Sequence, residues 1–197
     1  MKSLYYFIVK PLNERYDNIK KVDDKTLIIN TGIENHRFVS KKAVVVSTPA
    51  AYASKIKVGD ELYVHHNIFR RWYNMRGEEK NSSTFFKDDL YFVSPDQIYM
   101  YNLKPHLDYC FVKPIKNQNL LENRKEQPNV GIMKYTNSAL EAIGITPGTL
   151  ITFTPNSEFE FIVEGERLYC MKSNDIALTH EYQGNEEENN PSWAKSS

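Results

Sequence analysis

Five histidines and two cysteines are the side chains in this 197-residue sequence best suited to hold a metal or to act as nucleophiles. A structural or catalytic zinc needs three or four Cys, His or carboxylate ligands at close spacing. Cys110 and Cys170 lie far apart, and His36, His106 and His180 are scattered. His65 and His66 are adjacent, but neighbours on a strand point to opposite faces and do not share a metal. No Ser-His-Asp or Cys-His grouping has a triad's arrangement. No Gly-x-Gly-x-x-Gly stretch offers a dinucleotide fold its phosphate turn. We therefore expect no catalytic residue, no metal and no cofactor. Both cysteines sit on strand-like patterns and read as buried thiols.

Two groupings could instead bind a partner. Phe69-Arg70-Arg71-Trp72-Tyr73-Asn74-Met75-Arg76-Gly77 interleaves basic and aromatic residues, as single-strand nucleic-acid binders on barrel folds do. The plainer reading is a β-hairpin turning near Gly77. The second grouping is Leu27-Ile28-Ile29, an apolar island followed by Asn30-Thr31-Gly32. It lies in a long polar stretch, Asn13 to Lys42. Connections of that length are functional or disordered. An apolar triplet within one invites a partner's groove; the competing reading is one more strand, Thr26–Asn30.

The elements that must position these groups are β-strands. Composition is ordinary for a globular chain, 41% hydrophobic and 25% charged. The longest aliphatic run, Ala43–Val46, is far short of a bilayer span. The first residues, Met1-Lys2-Ser3-Leu4-Tyr5-Tyr6, lack a signal peptide's apolar core. We expect a cytoplasmic protein without a membrane association. Lys and Arg total 25, as do Asp and Glu, but residues 1–103 hold 16 against 12 and residues 104–197 hold 9 against 13. Neither half is basic enough for a strong phosphate-binding surface, which disfavours nucleic acid as a partner.

The chain also repeats itself, which sets the domain plan. Phe7-Ile8-Val9-Lys10-Pro11-Leu12 returns 103 residues on as Cys110-Phe111-Val112-Lys113-Pro114-Ile115. Val58-Gly59-Asp60 returns 89 residues on as Pro147-Gly148-Thr149. Leu90-Tyr91 with Ile98 returns 78 residues on as Leu168-Tyr169 with Ile176. In each copy, short Val-, Ile-, Tyr- and Phe-rich segments alternate with turn residues, the pattern of a small barrel or sandwich. Ser138–Gly144 reads as a short helix capped by Ser138 and stopped by Gly144. The domains expected are 1–103, with a loop over about 17–42, and a more compact 104–182. Residues 183–197 read as a polar, disordered tail.

At the level of motifs the sequence resembles the chaperonin-10, GroES-like co-chaperonins in a tandem two-domain form. Val9-Lys10-Pro11-Leu12 resembles the family's opening strand and turn. Thr26-Leu27-Ile28-Ile29-Asn30-Thr31-Gly32 resembles its mobile loop. Ile56-Lys57-Val58-Gly59-Asp60-Glu61-Leu62-Tyr63-Val64 is similar to its Val-Lys-Val-Gly-Asp stretch, and Asp89–Val93 with Asp96-Gln97-Ile98 to its closing strands.

The resemblance implies an all-β chain of two tandem, partly open GroES-like β-barrels. It implies a non-enzymatic co-chaperonin that caps an ATP-bound, GroEL-like chaperonin ring and encloses an unfolded client. ATP would be bound by the partner and not by this chain. The chaperonin contact would fall on the mobile loop of Leu27, Ile28, Ile29, Thr31 and Gly32, with the aliphatic triplet docking and Gly32 letting the loop turn. Leu120 and Leu121 would offer a poorer second loop. Copies of the chain would form a ring. Two alternatives stay open: a β-barrel that binds single-stranded nucleic acid, and a structural assembly subunit that kept the barrel.

Overall fold

The computed structural model describes residues 3–16, 19–22, 25–28, 38–117, 125–181 and 186–196. The chain divides into two compact units, Met1–Leu103 and Lys104–Ser197. Both are built almost wholly of antiparallel strands.

The first unit runs β1 (Phe7–Pro11), β2 (Ile19–Val22), β3 (Lys25–Ile28), β4 (Lys42–Ser47), β5 (Glu61–Val64), β6 (Arg71–Tyr73), β7 (Glu79–Asn81), β8 (Phe85–Lys87), β9 (Leu90–Val93) and β10 (Ile98–Tyr101). Its main sheet has the order β8-β9-β1-β4-β5-β10. β2–β3 and β6–β7 are separate two-stranded ribbons. One face of the main sheet is apolar at every second residue: Phe7 and Val9, Ala43 and Val45, Leu62 and Val64, Tyr91 and Val93 are all buried in one cluster. That period of two is what a strand with one buried face requires.

The second unit runs β11 (Lys104–Pro105), β12 (Tyr109–Lys116), β13 (Glu126–Tyr135), α1 (Ser138–Ala142), β14 (Leu150–Phe153), β15 (Phe159–Val163), β16 (Glu166–Lys172) and β17 (Ile176–His180). Its sheet order is β15-β16-β12-β13-β14-β17. This is the order of the first unit, strand for strand. Neither sheet closes into a barrel. The core gathers Cys110, Val112, Met133, Ile151, Phe153 and Met171 under Leu140 of the helix.

The registers repeat as the sequence does. Phe7 faces Val93 and Val9 faces Tyr91; Cys110 faces Met171 and Val112 faces Tyr169. Val9 faces Val45 and Val112 faces Met133. The turn before the fifth strand of each sheet repeats down to its bonds. Gly59 donates to the Val45 carbonyl at 2.9 Å, and Gly148 to that of Met133 at 2.8 Å. Val45 in turn donates to Asp60, and Met133 to Thr149. Gly59 and Gly148 have φ of 92° and 94°, a left-handed conformation that a side chain would strain. This is why a glycine stands at that place in both copies.

Three local expectations need correction. The helix cap is Asn137, one residue before Ser138: its side chain accepts the N–H groups of Ala139 and Leu140, both at 3.1 Å. β5 ends at Val64, so His65 and His66 do not lie on a strand. His65 instead caps a 3-10 turn over His66–Ile68, and the two rings stack at 4.3 Å. The tail expected to be disordered from 183 differs over 186–196. Glu188 forms an antiparallel β-bridge to Ile115, and Ala194 is buried.

Candidate functional site

The first unit departs from the second by two insertions, and these hold the groupings singled out in the sequence. One lies between β1 and β4 and contains the β2–β3 ribbon. The other lies between β5 and β8 and contains β6–β7.

β2 and β3 pair in a tight hairpin, Val22 opposite Lys25 and Ile19 opposite Ile28. Leu27 and Ile28 therefore stand at the C-terminal end of a strand that belongs to its own ribbon and not to the main sheet. Ile29, Thr31 and Gly32 lie outside the described residues, as do Leu120 and Leu121 of the second loop. The structure thus places two of the expected contact residues on one strand.

The root of this arm is built firmly into the first unit. Tyr16 bridges Val39, Ser40 donates to the Arg15 carbonyl at 2.9 Å, and Leu12 donates to that of Lys42 at 3.1 Å. Tyr16 and Val39 are buried in the core cluster, with Phe38 packed against it. The Arg15 guanidinium lies 5.3 Å from the centre of the Tyr91 ring and donates to Asn81 Oδ1 at 2.9 Å and the Phe69 carbonyl at 3.1 Å. Burial holds the Tyr91 phenol well above its ordinary pKa, with Arg15 opposing that shift. Arg15 thus joins the arm's root to both ends of the second insertion.

The second insertion is the hairpin that its sequence suggests. Trp72 faces Lys80 and Tyr73 faces Glu79 across the ribbon. Its turn is closed by Asn74, whose side-chain oxygen accepts from Arg76 at 3.0 Å and Glu78 at 2.9 Å. Gly77 supplies the left-handed residue at φ 74°. Met75 at the tip is fully exposed, and Trp72 and Tyr73 are about half so. The basic residues are not all presented to solvent. Arg71 pairs with Glu79 at 2.8 Å and stacks on Tyr16. Its guanidinium is held above its ordinary pKa by Glu79 and Tyr16 against the opposing cost of burial.

The remaining candidates for chemistry sit in packed surroundings. Cys110 and Cys170 are fully buried, and burial pushes the Cys110 thiol up to about 12. His65 is held below its ordinary pKa by burial and by Lys41. Among the described residues no group of three or more His, Cys, Asp or Glu could hold a metal ion. Among them no helix is long and apolar enough to cross a membrane. The arm's root was missed in the sequence because Arg15, Tyr16 and Asn81 carry no motif; only the folded chain brings them together.

No family model matches the chain, and no curated protein sequence matches it.

Proposed function

We propose that this chain is a lid subunit of the co-chaperonin type, in which copies assemble into a ring, cap an ATP-bound chaperonin and enclose a client in the cytoplasm. The reading rests on the sequence motifs and on one structural observation: β2–β3 leaves the main sheet between β1 and β4 as an independent ribbon carrying Leu27 and Ile28. That is where the motifs put the partner-binding segment.

The physical balance suits a reversible lid. Burying three aliphatic side chains contributes about 1.5–3 kcal/mol each. Ordering backbone costs about 1–2 kcal/mol per residue. Residues 25–28 already hold strand geometry, which lowers that cost. One arm still binds weakly, and a ring gains by presenting several arms at high effective concentration. Ring closure needs a heterologous contact, for which β8, β15 and β17 stand at the ends of their sheets.

The test is ATP-dependent co-migration with a chaperonin ring. Changing Leu27, Ile28 and Ile29 together to Ser should abolish it while leaving the fold intact. Binding unchanged in that variant would remove the assignment. The nucleic-acid reading is weakened by Arg71, whose guanidinium is already engaged by Glu79 and Tyr16. A salt-sensitive gel shift with single-stranded DNA would restore it.

A further inference from the structure

β12 is longer than the strand beside it. β16 covers Tyr109–Val112 and leaves the edge of Pro114–Lys116 open on that side. The C-terminal segment fills the gap. Glu188 bridges Ile115, Lys116 donates its N–H to the Glu187 carbonyl at 2.8 Å, and Asn189 donates to that of Pro114 at 2.8 Å. Side chains repeat the backbone contacts. Lys116 Nζ lies 2.7 Å from Glu187, and Lys113 pairs with Glu188.

The place is informative. Lys116 and Glu126 face each other at the foot of the second unit's own insertion, and Asn117 donates to the Lys125 carbonyl at 3.0 Å. That insertion joins β12 to β13, as the arm joins β1 to β4. Asn189 Nδ2 donates to Glu126, which also binds Arg167 and the Tyr169 hydroxyl. Asn190 accepts the Arg167 N–H at 3.3 Å. Residues 187–190 therefore grip both stems of the β12–β13 connection at once.

We infer that this segment is a releasable latch: the second unit has a strand-addition site for an acidic extended peptide, the chain's own residues 187–190 occupy it, and release exposes the Pro114–Lys116 edge. Release is easy for three reasons. The Lys116–Glu187 pair is exposed on both sides, and such pairs are weak and screened by salt. The bound segment stands beside an open cavity of about 590 Å³ lined by Lys113, Lys116, Glu164 and Glu166, so apolar packing there is thin. Ala194 keeps the far end anchored, so a released strand stays near its site.

Amide exchange on the full chain tests the latch without any partner. Glu187→Lys with Glu188→Lys reverses both charge pairs, and Asn189→Pro separately removes the N–H given to Pro114. Each should speed exchange at Lys116 and Asn117 by about tenfold or more, as local opening does. High salt should do the same to the unaltered protein. The first unit's strands serve as the internal control and should not change. Exchange unaltered at Lys116 and Asn117 in both variants would overturn the latch. A protein that never binds a chaperonin, latched or released, would sink the lid reading and leave the exchange result standing.

Discussion

The hydroxyl of Tyr16 accepts the backbone N–H of Arg71 at 2.8 Å, and the Arg71 guanidinium lies 4.8 Å from the centre of the same ring. One side chain at the arm's root thereby fixes the start of the aromatic ribbon. The two insertions of the first unit share a foundation, although 55 residues separate these two in sequence.

Tyr16→Phe tests that foundation. The ring and its face for Arg71 remain, but the part-buried Arg71 N–H loses its acceptor. The expected cost is about 1–2 kcal/mol. It should appear as a lower urea midpoint with an unchanged slope, together with faster amide exchange at Arg71.

Gly131→Ala should damage the second unit by overpacking. A Cβ there would lie 2.4 Å from Val112 Cγ1 and 2.6 Å from the Lys113 carbonyl oxygen. The backbone oxygen cannot yield cheaply, so a loss of about 1–3 kcal/mol is expected on chemical denaturation. The equivalent place in the first unit, opposite Pro11 as Gly131 is opposite Pro114, is held by Ala43. The two copies thus differ in backbone spacing at this point.

Asn137→Ala removes a cap and a tether together. The side chain accepts two N–H groups of α1 and donates to the Tyr109 carbonyl at 3.0 Å and to Ser173 Oγ at 2.7 Å. We expect a loss of about 1–2 kcal/mol. Asn137→Asp should retain the cap and lose the donated bonds, giving an intermediate unfolding midpoint.

Alkaline pH should weaken the second unit. Burial, with Glu126 close by, raises the Tyr169 phenol to about 12, against an ordinary 10. The folded state holds the proton more tightly than the unfolded chain does. The contribution is therefore complete below about pH 10 and falls away as the pH rises through about 12. Difference absorbance of the phenolate should show a late-titrating tyrosine that is missing from Tyr169→Phe.

Both thiols should report opening of the second unit alone. Cys110 and Cys170 are fully buried with raised pKa values, and thiolate is the reactive form. A thiol reagent at neutral pH should label them at matching slow rates, and rapidly after denaturation. Fast labelling of either one in the native protein would contradict its burial.

The internal duplication was readable from sequence, because positions that pair across a sheet carry the constraint in their own identities. Val9 and Val112, Tyr91 and Tyr169, and Gly59 and Gly148 meet equivalent partners, and a left-handed turn admits little but glycine. The apolar island Leu27-Ile28-Ile29 was visible for the same local reason. What the tertiary structure alone decided was who meets whom beyond that pattern. It paired β3 with β2 and not with the main sheet, stacked His65 on His66, and rooted the arm through Arg15, Tyr16 and Asn81. It also laid Glu187–Asn189 along β12, where composition had suggested a free tail. Such contacts join single residues far apart along the chain. They leave no period and no motif, and their energies exist only once the surrounding backbone has brought the groups within bonding distance.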